Sequence, residues 1–334
     1  MINKLYTIIK EYIKNNIGFI ITLLVIILVF QINLPWSIYA PGGIISIDKR
    51  LSGSNYKSDG SINLTYVTFI KGNIPSLLMG LILPSWDIVD NDDLKSSNEE
   101  LEDANKRNVI YLYESISNAT YVAYNKAQIK PNITDTSYYL FYKDPKSKTD
   151  LKIGDKITKC DDKKITSLID LVNYIENTDK ESVKLEYIRD DKTYETEEQL
   201  YRDSNGSNKL GVAITTIYSY DNKPNIKYHE DESEAGSSGG LMLTLAYYNA
   251  LVKEDITRGK KICGTGTISL DGTVGEIAGI KYKLAGASKN KCDVFLVPTD
   301  NYKEAIKEKK DNNYQINIIE SINFDQVLEE LKKL

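Results

Sequence analysis

Two short stretches of the chain carry residue types that can do chemistry together. Glu234 to Leu251, EAGSSGGLMLTLAYYNAL, runs a Gly-Ser-Ser-Gly-Gly turn directly into a helical pattern with Leu241, Leu245, Tyr248 and Val252 on one face. A serine at such a turn, Ser238, sits at a helix N-terminus, where backbone N–H groups and the positive end of the dipole stabilise an oxyanion. Gly239 and Gly240 beside it let a substrate come close. The same residues also suit a glycine-rich helix start with no chemistry. A serine nucleophile needs a base, and the chain has one histidine, His229, nine residues before Ser238. That placement does not suit a Ser-His-Asp arrangement, so His229 reads as a surface or strand-end residue. The remaining activator is a lysine whose ammonium is destabilised by burial. Cys263 to Ala287, CGTGTISLDGTVGEIAGIKYKLAGA, reads as a strand, an Asp271-Gly272 hairpin turn, a second strand and a helix beginning near Gly279. At ~100° per residue, Ile280, Lys283, Leu284 and Ala287 share one face, while Lys281 lies with Ala285 and Ser288 on the other. Lys283 is therefore the lysine drawn to the apolar side, although a snorkelling lysine on an amphipathic helix gives the same pattern.

Together these elements resemble the proteolytic domain of the Lon family. The pattern G-x-S-[AG]-G is met by Gly236, Ser238, Gly239 and Gly240, and the long pattern T-G-x-[IL]-[ST]-L-x-G-x-V-x-x-[IV]-[AG]-G-[ILV]-x-x-K by Thr265 through Lys283. V-P-x-x-N follows at Val297 to Asn301, so the resemblance runs from about Leu210 to Leu334. It implies that Ser238 is the nucleophile, Lys283 the general base and Thr265 the hydroxyl that orients the lysine, with Gly236 and Gly239 supporting the serine turn. The separation of 18 residues from Thr265 to Lys283 matches the family pattern. The 45 residues from Ser238 to Lys283 are slightly more than that pattern has, which places a short insertion between Lys253 and Lys261. Where the family often has an acidic residue three positions before the serine, this chain has Ala235, leaving Glu234 or Glu232 as substitutes.

Upstream of this region the pattern is that of short strands. Leu151 to Lys192 resembles the second half of a PDZ domain. Leu151, Gly154, Asp155 and Ile157 meet its L-x-x-G-D-x-I turn, Asp161-Asp162 its tight turn, Ser167 to Ile175 its groove helix, and Val183 to Arg189 its closing strand. A Gly-Leu-Gly-Phe-like loop is not found near Tyr138 to Tyr142, where it is expected. Tyr201 to Asn208 reads as a linker, and the alternation of Leu210 to Ile217 as the opening of the last domain. Nearer the N-terminus, Ser61 to Ile70 alternates like a half-buried strand, and Ile74 to Leu83 reads as a core strand with its turns. A long helix is expected from Ser97, which forms a capping box with Glu100, to Ala127.

Residues Ile17 to Leu34 form an 18-residue stretch without charge, close to the ~20 residues needed to cross a bilayer as a helix. Lys4, Lys10 and Lys14 precede it and the first charge after it is Asp48, which places the N-terminus in the cytoplasm and the rest outside. The stretch is too long for the apolar part of a cleaved leader, and Ala40 is followed by Pro41, so an uncleaved anchor is expected.

The expected fold is α+β: a cytoplasmic N-terminus (1–16), a transmembrane helix (17–36), an extracytoplasmic region with the long helix (37–128), a PDZ-like β-rich module (129–205) and a C-terminal Lon-type proteolytic domain (208–334). The 334 residues carry a net charge of −5, which argues against nucleic acid as a partner. Three cysteines are too few and scattered for a disulfide framework or a C-x-x-C zinc site, so no metal and no cofactor are expected. No G-x-x-x-x-G-K-[ST] occurs in the chain. In this order the modules resemble the membrane-bound PDZ-Lon serine proteases of Gram-positive bacteria, which implies ATP-independent cleavage of polypeptides at a cell membrane. Ring assembly as a homo-oligomer is a further implication. The rival reading, an inactive membrane-anchored scaffold, is disfavoured by the joint presence of Ser238, Thr265 and Lys283.

Overall fold

The computed structural model describes residues 2–54, 56–95, 99–147 and 149–334. In chain order its main elements are α1 (Ile2–Asn15), α2 (Ile17–Gln31), β1 (Trp36–Ser46), β2 (Ser61–Lys71), α3 (Ile74–Ile82), β3 (Asp87–Asp90), α4 (Leu101–Lys126) and β4 (Ile133–Lys143). There follow β5 (Lys156–Cys160), α5 (Leu168–Asn177), β6 (Ser182–Arg189), β7 (Lys192–Gln199) and β8 (Val212–Tyr220). The chain ends with α6 (Gly240–Leu251), β9 (Lys261–Gly264), β10 (Thr267–Ile268), β11 (Val274–Gly275), α7 (Ile280–Lys289), β12 (Val294–Pro298), α8 (Thr299–Asp311), β13 (Asn317–Ser321) and α9 (Phe324–Leu331). Ser97, expected to cap α4, lies outside the described residues. Contacts divide the chain into two compact units, Met1–Pro41 with Val67–Leu94, and Gly42–Tyr66 with Lys95–Leu334.

In the first unit α2 is apolar on every side and buries none of its residues. The span expected at 17–36 stops being helical at Gln31, and the Leu34 N–H turns to bond the Gly72 carbonyl instead. Among the described residues no single helix is long and apolar enough to cross a membrane; α1 and α2 meet that test only as a pair bent by 76°. Ile74 to Leu83 is a helix, not the expected strand. The reason lies at its start, where Asn73 and Ser76 cap one another reciprocally and Pro75 occupies the first turn, which needs no N–H from it. β1 and β3 pair antiparallel, Trp36 opposite Asp90 through Tyr39 opposite Asp87.

In the second unit a sheet runs β13-β12-β9-β2-β1, with β9 parallel to both β2 and β12. Residues 37–128 therefore do not form a region of their own: Ile47 and Ile62 from this stretch, and Ala119, Ala123 and Tyr124 from α4, share one core with Leu241, Leu245 and Ala246 of α6. The expected one-sided apolar face of α6 is also corrected. Every residue of that helix except Tyr248 is buried, as a helix apolar all round requires. Cys263 and Cys292 form a disulfide that ties β9 to the approach of β12, where no bridge was expected.

Strands in the order β8-β4-β5-β6-β7, with the two-residue strand Lys163–Lys164 paired to β5, make a second, antiparallel sheet with its own core, in which Leu140, Leu151, Ile157 and Leu185 are fully enclosed, and α5 covers one face. β8, expected to open the last domain, pairs with β4 along its whole length. The chain thus enters this module on β4 and leaves it on the neighbouring β8. A polar neck closes the gap: the Asn132 N–H donates to Asn222 Oδ1 and the Asp221 N–H to the Asn132 carbonyl.

α4 and α6 approach closely at Gly240, where an added Cβ would meet Ser115 Oγ and Ile268 Cγ2, each at 2.8 Å. We expect Gly240→Ala to destabilise the fold by about 1–3 kcal/mol through overpacking, read as a lower denaturant midpoint.

Candidate active site

The Gly-rich turn is held from below by α4. The Gly236 N–H donates to the Asn108 carbonyl at 2.8 Å, and Ser115 Oγ donates to the Ser237 carbonyl at 3.2 Å. Gly236 has φ +89°, a left-handed conformation that glycine adopts without strain. Two residues later Ser238 lies half-buried, and Gly239 caps the first turn of α6. Asn108 and Ser115 were not singled out from the sequence. They carry no motif, and only the packing of α4 under the turn gives them this role.

The second element reaches the first through one backbone oxygen. The Ser238 carbonyl accepts the Gly266 N–H at 2.8 Å and the Thr265 hydroxyl at 3.0 Å. Thr265 is fully buried, and its oxygen in turn accepts a hydrogen bond from Lys283 Nζ at 3.1 Å. Lys283, Thr265 and the Ser238 backbone are thus linked in a directed chain of donors. Lys283 is only 4 % exposed although it is a lysine, and burial lowers its pKa to about 7. Its helix face holds the buried Ile280, Leu284 and Ala287, whereas Lys281 is half-exposed and reaches over the Tyr282 ring. A neutral amine that gives one hydrogen to Thr265 keeps a lone pair with which to take a proton.

The start of α7 is fixed by Asn301. Its buried amide accepts the Ile277 N–H and donates to the Ile277 carbonyl, both at 2.9 Å, and so sets the backbone three residues ahead of the helix that carries Lys283. The Val297–Asn301 motif therefore acts by positioning. Glu234 is occupied elsewhere: it pairs with Arg50 and accepts the Tyr228 hydroxyl at 2.6 Å, which pins the loop before the turn. Glu232 is exposed. His229 is exposed as well, with Nε2 bonded to Ser52 Oγ. No cluster of three or more His, Cys, Asp or Glu side chains able to hold a metal ion occurs among the described residues.

A second site lies in the five-stranded module. Between α5 and β8 runs a cleft of about 500 Å³ lined by Leu168, Leu171, Val172 and Ile175 on one side and Leu210 to Ile214 on the other. Gly211 (φ +75°) turns the chain into β8 against Ser147 and Tyr201, with no room for a Cβ.

Residues 142–200 match the PDZ domain family, and residues 225–333 match the C-terminal proteolytic domain of Lon protease (S16). No curated protein matches the chain. Solved structures similar to it include the PDZ domain of an SdrC-like protein from Listeria monocytogenes, at 24 % identity, covering 25 % of this chain and 92 % of that one with a TM-score of 0.22. The PDZ domain of an SdrC-like protein from Listeria innocua matches at 23 % identity, covering 23 % and 92 %, with a TM-score of 0.22. The second domain of a Listeria protein matches at 25 % identity, covering 25 % and 87 %, with a TM-score of 0.21.

Burying Lys283 has a thermodynamic signature. Between about 7 and its ordinary value of 10.5 the unfolded chain holds a proton on this lysine that the folded chain does not, so stability rises with pH across that window. Replacing it in Lys283→Met should remove up to about 1.4 kcal/mol per pH unit of that slope, measured by denaturant unfolding at several pH values.

Proposed function

We propose that this chain, which joins a PDZ domain to a Lon-type serine peptidase domain, is an ATP-independent, membrane-anchored endopeptidase working through a Ser238–Lys283 dyad. The observation that carries the reading is the buried Lys283, lowered to about 7 and hydrogen-bonded through Thr265 to the backbone of Ser238. Neutral Lys283 takes the proton of Ser238 Oγ as that oxygen attacks a peptide carbonyl. Backbone N–H groups of the serine turn ahead of α6 stabilise the oxyanion, and the protonated lysine gives its proton to the leaving amine. Neutral Lys283 then takes a proton from water, whose oxygen attacks the acyl group, and returns it to Ser238 Oγ as the acid product leaves.

The substrates in this reading are unfolded or regulatory polypeptide segments, brought in by the cleft between α5 and β8. An extended peptide laid beside β8 gains backbone hydrogen bonds at the sheet edge while its side chains meet Leu171, Val172 and Ile175. For location, α2 is uncharged and preceded by Lys10 and Lys14, which favours a cytoplasmic N-terminus and extracytoplasmic domains. The Cys263–Cys292 disulfide also suits an oxidising compartment.

Purified protein should degrade casein without ATP. Ser238→Ala and Lys283→Ala should each lower the rate by at least about 10³-fold, while Lys281→Ala stays within about twofold of the parent because it removes no reacting group. The rate should rise with pH through about 7 and then level off, as the base must be deprotonated. Full cleavage by Lys283→Ala would refute the dyad, and binding of casein without cleavage would favour the scaffold.

A further inference from the structure

α3 is an apolar helix with nothing over its outer face. Ile74, Leu78, Leu81 and Ile82 fall within one stripe at helical spacing, and Leu78, Leu81 and Ile82 are 55 %, 75 % and 71 % exposed. The opposite side is packed: Gly80 lies so close to Ile88 of β3 that an added Cβ would sit 2.9 Å from that side chain. The helix therefore has a defined inner and outer surface, and the outer one consists of large aliphatic side chains.

Its surroundings say what covers that surface. The run from Gly72 to Trp86 has no charged residue, and neither has the run from Asn15 to Ile47 that contains α2. The two are bonded to each other where α2 ends: Asn73 Nδ2 donates to the Phe30 carbonyl at 3.3 Å, and the Leu34 N–H to the Gly72 carbonyl at 2.8 Å. Trp36 sits at this junction, its carbonyl accepting the Gly72 N–H, and Trp86 follows the other end of α3; tryptophan concentrates where a bilayer meets water. At about 14 Å α3 is far too short to cross a hydrocarbon core. A stable face between two copies needs about 800 Å² from each, more than one stripe of a nine-residue helix offers.

We propose that α3 lies in the bilayer interface beside the end of α2, with Ile74, Leu78, Leu81 and Ile82 turned into lipid, as a second membrane contact separate from the anchor. This rests on α2 being in the membrane. The full chain carries one free thiol besides its disulfide, Cys160, which is buried and whose pKa is pushed up to about 11, so an introduced surface cysteine can be labelled selectively. An environment-sensitive fluorophore is placed at Leu81→Cys, at Val25→Cys in α2, and at Lys289→Cys as a water-exposed reference. Each protein is reconstituted in phosphatidylethanolamine–phosphatidylglycerol vesicles with or without acyl-chain bromine.

With its face buried about 5–10 Å into the headgroup and acyl boundary, the Leu81 label should lose roughly half its emission to bromolipid. The Val25 label should be quenched too, and the Lys289 label only by aqueous iodide. A quenched Val25 label with a Leu81 label open to iodide overturns the proposal and leaves the anchor standing. If neither is quenched by lipid, the anchor reading fails and this proposal is overturned with it. A Leu81 label shielded from both quenchers, together with Leu81→Cys cross-linking between copies, would assign the face to a second copy and overturn the proposal.

Discussion

An amine kept out of water is the constraint around which the second unit is arranged. A lysine is among the residues least often fully buried, because its ammonium loses hydration that nothing apolar replaces. At Lys283 the loss is met by releasing the proton, and burial alone accounts for the shift. Everything near it serves either to maintain that burial or to give the neutral amine a partner. α7 enters the core on its Ile280 and Leu284 side, Asn301 fixes where the helix begins, and Thr265 offers the amine a hydroxyl at 3.1 Å. Because Thr265 spends its own proton on the Ser238 carbonyl, the polarity of the chain runs one way.

Much of the site was legible in the sequence because it is local. The choice of Lys283 over Lys281 follows from helix periodicity over a few residues, and the Asp271-Gly272 turn is likewise written in adjacent positions. What escaped was non-local. Asn108 and Ser115 hold the Gly236–Ser238 turn across more than a hundred residues of intervening chain. The bridge between Cys263 and Cys292 depends on the parallel pairing of β9 with β12. α3 shows a different limit: its apolar content fits a strand equally well, and the capping pair at Asn73 and Ser76 was the decisive signal.

Segments on either side of the stretch that matches a PDZ domain share one core, a relation that no local pattern in the chain records. The strands and helix preceding the PDZ module pack with the strands and helices C-terminal to it, so the module interrupts one packed unit. Such an interruption is tolerated when entry and exit lie side by side. Here they are neighbouring strands, with Ile133 opposite Tyr220. Two contacts then join the module to the helix beneath the serine turn: Thr215 Oγ1 donates to Glu114, and the Tyr218 N–H to Ser117 Oγ. Both α4 residues lie within three positions of Ser115.

The disulfide changes what the chain is when it is not folded. Its two cysteines are 29 positions apart, and the ring they close encloses both Thr265 and Lys283 but leaves Ser238 outside. Closing a loop of that size removes about 3–4 kcal/mol of chain entropy from the denatured ensemble. In the unfolded chain the lysine and its threonine partner thus stay tethered on one short covalent circle. The serine has no such leash, and its arrival beside them is the part of the site that only the completed fold supplies.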